Sequence, residues 1–297
     1  MKKSFILKGT KDETYSFFVM NNSFEVEYTI EDIYKGGEDN GYHLFNIDNE
    51  GSIYYFATNG LTNFQMNQNG TPSYVIKERK IEKIIIYNAL EDYTRTSLTI
   101  ESANLNTRNV KYLVTKKNEL VAVALETNKL HIFNLNGKTK EIENMVEQDL
   151  SQLEAIKGHD IDYKNYDNSS FIEDPNGGLF LVTELFNRPY GKYTYDDMLV
   201  FSFSNKNEII WSKLIKKRQA FSPKSGQMPD FWLPYFSFKS FLSQDELIVV
   251  YNENIKNELA KESDKMARLT DEADAYLVVC SMDKKKWRNE QKNNQTR

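Results

Sequence analysis

The feature that most restricts how this chain can fold is a recurring hairpin. Each copy is an apolar run, a short polar turn, and a second run rich in β-branched and aromatic residues. The copies are YHLFNI–DNEG–SIYYFAT (42–58), VKYLVT–KKN–ELVAVALE (110–126), SSFIE–DPNGG–LFLVTELF (169–186) and YFSFKSFL–SQDE–LIVVYN (235–252). Asn, Asp, Gly and Ser fill the turns because they tolerate the backbone angles of a tight reversal. A second hairpin follows each of these: 82–101, 129–145, 197–215 and 275–288. A further copy, TYSFFVM–NN–SFEVEYTI (14–30), precedes them all.

Equivalent positions Ile53, Leu120, Leu179 and Leu247 recur every 60–70 residues or so. Compact propeller repeats run about 40–50 residues, and inserted connections account for the excess. Each unit therefore reads as a four-stranded antiparallel meander. One such sheet cannot bury both of its faces alone, so the units must stack. The expected fold is all-β: a β-propeller-like repeat of four-stranded sheets, about five blades, complete or cut short, in one domain spanning 1–297. Its units are 14–30 (half), 42–101, 110–145, 169–215 and 235–288. Two β-sandwiches or a linear array of sheets are the competing arrangements. The 18 Tyr and 18 Phe suit half-buried pleated surfaces of this kind.

Strand direction alternates within a meander, so the short turns gather at one end and the longer connections at the other. Insertions 59–80, 146–168, 216–234 and 252–274, with the loop 187–196, all fall at that second end. Loops collected on one side of a rigid scaffold are where such folds build binding sites. The candidate binding residues are accordingly Arg188, Tyr190, Tyr193 and Tyr195 of one loop, with Arg218 and Trp232 of the next. Arg and aromatic side chains dominate interaction hot spots, and such rings also serve simply to cap sheet ends. Segment 252–274 has apolar residues spaced as for a short amphipathic helix.

Chemical motifs are few. Cys280, the single cysteine, lies in the apolar run YLVVCSM and reads as a buried structural thiol, with no disulfide or Cys-based zinc site available. His43 and His131 fall in strand runs. His159 opens HDIDYKNYD, whose carboxylates lack the central glycine of a calcium loop, so no metal is expected. Carboxylate neighbours Glu173–Asp174 and Asp196–Asp197 could in principle serve glycoside chemistry, but read as strand ends that discourage edge pairing. The runs Lys216–Lys217–Arg218 and Lys284–Lys285–Lys286 read as solvated strand ends. With a net charge of −5 they do not point to nucleic acid. No cofactor motif is present.

The stretch NGGLFLVTELF…YDDMLVFSFSNKNEIIWSKLIKKRQ (176–219), with the later YFSF and YNEN, resembles uncharacterised propeller-like proteins of Bacteroidota-type bacteria. That resemblance implies a propeller-like fold and, for many relatives, export; it implies no activity and supplies no catalytic residues. The opening MKKSFILKGT lacks the 7–15-residue apolar core of a secretory signal, and no run is long enough to cross a membrane as a helix. The chain as written is thus expected in the cytoplasm, or in the periplasm or outside the cell if its start is truncated. The functional expectation is a binding or scaffold module, more likely not an enzyme, whose loop-rich face takes a protein or carbohydrate. The alternative is a propeller-type hydrolase acting on glycans with paired carboxylates.

Overall fold

The computed structural model describes residues 5–11, 14–21, 23–30, 44–48, 50–59, 62–66, 72–76, 80–99, 110–125, 129–153, 166–187, 193–221, 237–244, 246–257, 266–270 and 274–283. Among them, 21 strands form five antiparallel meanders and one separate hairpin. The first sheet is β1 (Phe5–Lys11), β2 (Thr14–Met20) and β3 (Val26–Ile30). The second joins β4 (Leu44–Ile47) and β5 (Ile53–Asn59) to β8 (Lys80–Asn88) and β9 (Thr94–Thr99), while β6 (Thr62–Met66) and β7 (Pro72–Ile76) pair only with each other. The third is β10 (Val110–Val114), β11 (Leu120–Leu125), β12 (Lys129–Leu135) and β13 (Ile142–Asp149). The fourth is β14 (Tyr166–Glu173), β15 (Leu179–Asn187), β16 (Tyr193–Phe203) and β17 (Ile209–Ile215), with β18 (Gln219–Phe221) added beside β16. The fifth is β19 (Phe238–Ser243), β20 (Glu246–Asn254) and β21 (Ala275–Asp283). The fold is all-β, a series of antiparallel sheets of mostly three or four strands.

Five of the hairpins share one turn, and its chemistry explains why they recur. In five copies, starting at Asn21, Asp48, Thr115, Asp174 and Ser204, the first residue's N–H donates to the carbonyl four residues on. Its own carbonyl accepts from the fourth residue of the turn. That fourth residue is left-handed each time: Phe24, Gly51, Asn118, Gly177 and Asn207 have φ of 60°, 94°, 62°, 92° and 65°. The leading side chain accepts from the N–H two residues on in every copy, for example Asp48 Oδ1 from Glu50 at 2.9 Å and Ser204 Oγ from Lys206 at 3.1 Å. An Asx- or Ser/Thr-turn thus supplies the backbone's missing partners and fixes the register of the strands it joins.

The chain divides into two compact units, one of Met1–Ala124 with Ile132–Met145, the other of Leu125–His131 with Val146–Arg297. In the first, the two faces of the second sheet bury alternate residues: Ile53, Tyr55, Ile85 and Tyr87 join Phe17 and Ile30 of the first sheet, whereas Tyr54, Ile84 and Ile86 join the third sheet's Leu120, Ala122 and Phe133. In the second unit, Phe180, Val182, Met198 and Val200 of the fourth sheet pack on Leu247, Val249 and Tyr251 of the fifth. Side chains on opposite faces of one pleated strand thus serve two different interfaces. Trp211 of β17 packs into this second core, 6.0 Å from the Phe180 ring.

Several segments differ from the expectation. The first sheet has three strands rather than two, because Phe5–Lys11 pairs with Thr14–Met20 along its whole length. The 59–80 connection contains the β6–β7 hairpin. Within 252–274, Met266–Thr270 is extended rather than helical, and Leu269 bridges Gln219 in parallel, burying its side chain. Among the described residues no helix is long and apolar enough to cross a membrane.

Candidate functional site

In the second unit the tight turns 174–178, 204–208 and 243–246 close one end of both sheets, and polar residues gather at the other end. Their placement follows from strand alternation. Trp211, Lys213 and Ile215 of β17 point inward, and continuing the two-residue period past the strand turns Lys217 and Gln219 inward as well, leaving Lys216 and Arg218 exposed. Lys217 and Gln219 are both 0% exposed.

Lys217 Nζ donates to Glu184 Oε1 of β15, whose side chain is also fully buried, and to Gln219 Oε1 at 3.2 Å. Ser237 closes the network, its hydroxyl donating to Glu184 Oε2 and its N–H to Gln219 Oε1, both at 2.7 Å. Gln219 Nε2 donates to the Asn252 carbonyl at 2.6 Å. The rings of Tyr195 and Tyr251 each lie 6.0 Å from the ammonium. Burial pushes the Lys217 ammonium well below its ordinary value, while the negative charge of Glu253 opposes the shift.

Glu253, at the end of β20, is a second carboxyl group in the same interior and only 2% exposed. Its Oε1 accepts from Asn254 N–H and Asn257 Nδ2, each at 2.9 Å, whereas the equally buried Oε2 has no hydrogen-bond partner among the described residues. Burial raises its pKa, against the lowering influence of those donors, the Arg218 N–H and Lys217. Nearer the surface, Asp196 of β16 pairs with Arg268 at 3.0 Å, their side chains 18% and 34% exposed. Burial also raises the Asp196 pKa, Arg268 works against it, and neighbouring Asp197 adds to it. Asp197 Oδ1 accepts from the Lys217 N–H at 3.1 Å. The two aspartates therefore lie within β16, each with a partner, rather than ending a strand.

Met266–Thr270 lies across this end. Ala220 N–H donates to the Leu269 carbonyl at 2.8 Å and Leu269 N–H to that of Arg218 at 2.9 Å. Asn257 exchanges two hydrogen bonds with the Ala267 backbone at 2.7 and 2.8 Å, Asn254 donates to the Arg268 carbonyl, and Arg268 Nη1 also reaches the Gln219 carbonyl at 3.3 Å. The arrangement sets a partly exposed Asp–Arg pair above a buried core of two glutamates and one lysine.

Of the residues singled out from sequence, Arg188, Tyr190 and Trp232 lie outside the described residues. Tyr193 and Tyr195 belong to β16 rather than to a loop and are 7% and 6% exposed, because β18 pairs alongside them and their rings pack with Phe186 and Phe221. Burial, with Tyr193 nearby, pushes the Tyr195 hydroxyl up to about 12. Arg218 is exposed and takes part through its backbone. Glu184, Lys217, Gln219, Glu253 and Arg268 were not picked out. The basic run 216–218 is not uniformly solvated as expected, because its central lysine continues the inward face of β17.

Elsewhere, Asp174 caps its turn, Cys280 is a thiol whose pKa burial raises, and His131 is buried in β12. In the first unit Asp48 Oδ2 accepts from Tyr54 Oη at 3.0 Å and meets Lys140 Nζ at 3.4 Å, tying two turns together. Among the described residues no group of three or more His, Cys, Asp or Glu is placed to hold a metal ion. Residues 159–165 of the candidate calcium loop lie outside them, and Tyr166 and Asp167 begin β14.

No protein-family profile and no curated protein matches this chain. Among solved structures it is similar to 1,3Gal43A, an exo-β-1,3-galactanase from Clostridium thermocellum. The identity is 9% and the TM-score 0.35, over 94% of this chain and 56% of that one. The likeness assigns no residue of this chain a role. The expectation that the chain is not an enzyme is corrected on its own ground: it took an absence of motifs to speak against catalysis, which an absence does not do, and it is dropped.

Proposed function

We propose that the protein acts on a carbohydrate at the loop-bearing end of its second unit, with Asp196 as the carboxyl group that reaches the ligand. The observation that carries this reading is the placement of Asp196: partly exposed, paired with Arg268, beside a second carboxylate, and with its pKa raised by burial. A carboxyl group of raised pKa beside other carboxylates is the kind of group that protonates a glycosidic oxygen, and Arg and carboxylate side chains are natural partners for sugar hydroxyls. The galactanase hydrolyses a glycan, which makes β-1,3-galactan a reasonable first substrate to try.

The test is a screen of the purified chain against a panel of polysaccharides and oligosaccharides, reading released sugar and binding, with Asp196→Asn in parallel. Hydrolysis or binding of one glycan class, lost or reduced at least tenfold in the variant, supports the proposal. No response to any glycan, or full activity in Asp196→Asn, overturns it.

A further inference from the structure

Among the described residues, the buried Oε2 of Glu253 has no hydrogen-bond partner. Two glutamates, Glu184 and Glu253, share an interior with one ammonium, Lys217, and that ammonium is spent on Glu184 and Gln219. A buried carboxylate oxygen without a donor is costly when ionised and far less so when protonated. The same side chain helps to hold Met266–Thr270, since Asn257 Nδ2 bridges Glu253 Oε1 and the Ala267 carbonyl.

We propose that Met266–Thr270 is a proton-controlled strap: it stays latched across β18 and β20 while Glu253 carries a proton, and loosens when Glu253 ionises. Ionisation places a second negative charge in a buried site where Lys217, the cation found there among the described residues, already pairs with Glu184. Lifting the strap exposes that carboxylate to water, so the open form binds the proton less tightly than the latched form. The groups around Glu253 set the sign. Burial disfavours its ionised form, while the Asn254 N–H, the Asn257 amide, the Arg218 N–H and Lys217 favour it. Glu184 adds negative charge to the same interior, and Asp196 and Asp197 of β16 lie on the side where Lys217 and the strap dock. Arg268 of the strap is committed to Asp196, and Tyr276 of β21 is the register partner of Glu253. The raised pKa of Glu253 agrees in direction. Sign and window follow: latching is complete below the solvated carboxylate range and is lost as pH rises through the latched-state pKa of Glu253, by at most about tenfold per pH unit.

Hydrogen exchange in the full chain tests this at the amides of Ala267 and Leu269, which are donors in the latched form. After correction for intrinsic exchange, wild-type opening is expected to rise at least tenfold from about pH 5 to about pH 8. Glu253→Gln, which mimics the protonated side chain, is expected to give flat, fully protected behaviour. Flat wild-type behaviour, or the same slope in Glu253→Gln, overturns the proposal. Should that variant not fold, carboxyl-carbon NMR of the wild type decides: a Glu253 signal titrating near the free value of about 4.3 overturns it, and one titrating clearly higher supports it. Neither readout involves a glycan, so the strap and the carbohydrate reading fail separately.

Discussion

Replacing Lys217 by Met is the sharpest test of how the second unit is held together. The substitution nearly preserves the volume of the side chain and removes its charge. It leaves Glu184 fully buried, with Ser237 Oγ its remaining hydrogen-bond donor among those described above, and takes a donor from Gln219 Oε1, which Ser237 N–H still serves. Removing one member of a buried ion pair costs about 3–5 kcal/mol, because the surviving charge is left uncompensated. Glu184 can limit the loss by taking up a proton, so the lower half of that range is expected near neutral pH and a smaller loss in acid. The double variant Lys217→Met/Glu184→Met replaces both charges with apolar side chains. It is expected to recover most of the stability, since well-packed apolar substitutes for buried ion pairs are often neutral or better. Urea denaturation followed by tryptophan fluorescence measures both, Trp211 being packed in the adjacent core. A single variant that costs under about 1 kcal/mol would mean that Lys217 behaves as a surface pair does. A double variant no more stable than the single one would mean that the cost came from lost packing and not from stranded charge.

Two further outcomes follow from the geometry. Gly178 has φ of +100°, and a Cβ there would sit 2.5 Å from the Phe203 carbonyl oxygen; at Gly51, φ is +94° but the nearest contact is 3.6 Å. Gly178→Ala should therefore lose clearly more than about 1 kcal/mol, and more than Gly51→Ala, by the same denaturation assay. Cys280, partly buried in the fifth sheet with its thiol pKa pushed up by burial, should react with a thiol reagent more slowly in the folded protein than in denaturant. Equal rates would place it at the surface.

The sheets were legible because their turns are spelled out locally: NNSFE, DNEGS, TKKNE, DPNGG and SNKNE each carry a side-chain acceptor first and a left-handed residue fourth. Phe5–Lys11 was missed because a Lys- and Gly-containing run carries little alternation, and its partner strand, not its own pattern, makes it a strand. Within 252–274, the helical spacing did not reveal the path of Met266–Thr270 for a related reason. Leu269 is buried by bridging a distant strand, which no local period records. The polar centre was illegible in another way. A KKR run reads as solvent-facing by composition, and only the phase of β17 carried forward two residues turns Lys217 inward. Glu184, in the apolar run LFLVTELF, was passed over as a strand residue, although a charge inside such a run signals a buried partner.

The five-fold recurrence of one turn also bears on the order in which this protein assembles. A five-residue reversal that satisfies its own backbone closes a very short loop, so its strand pair forms at small entropic expense and early. The polar end is built from contacts of much longer reach, since Glu184 and Ser237 are 53 residues apart and Asp196 and Arg268 are 72. Those closures wait until the hairpins on either side exist. Folding in the second unit therefore runs from the turn end toward the polar end. The same polarity in reverse makes the polar end the first part to open when the native state fluctuates, while the turns keep every strand in register for its return.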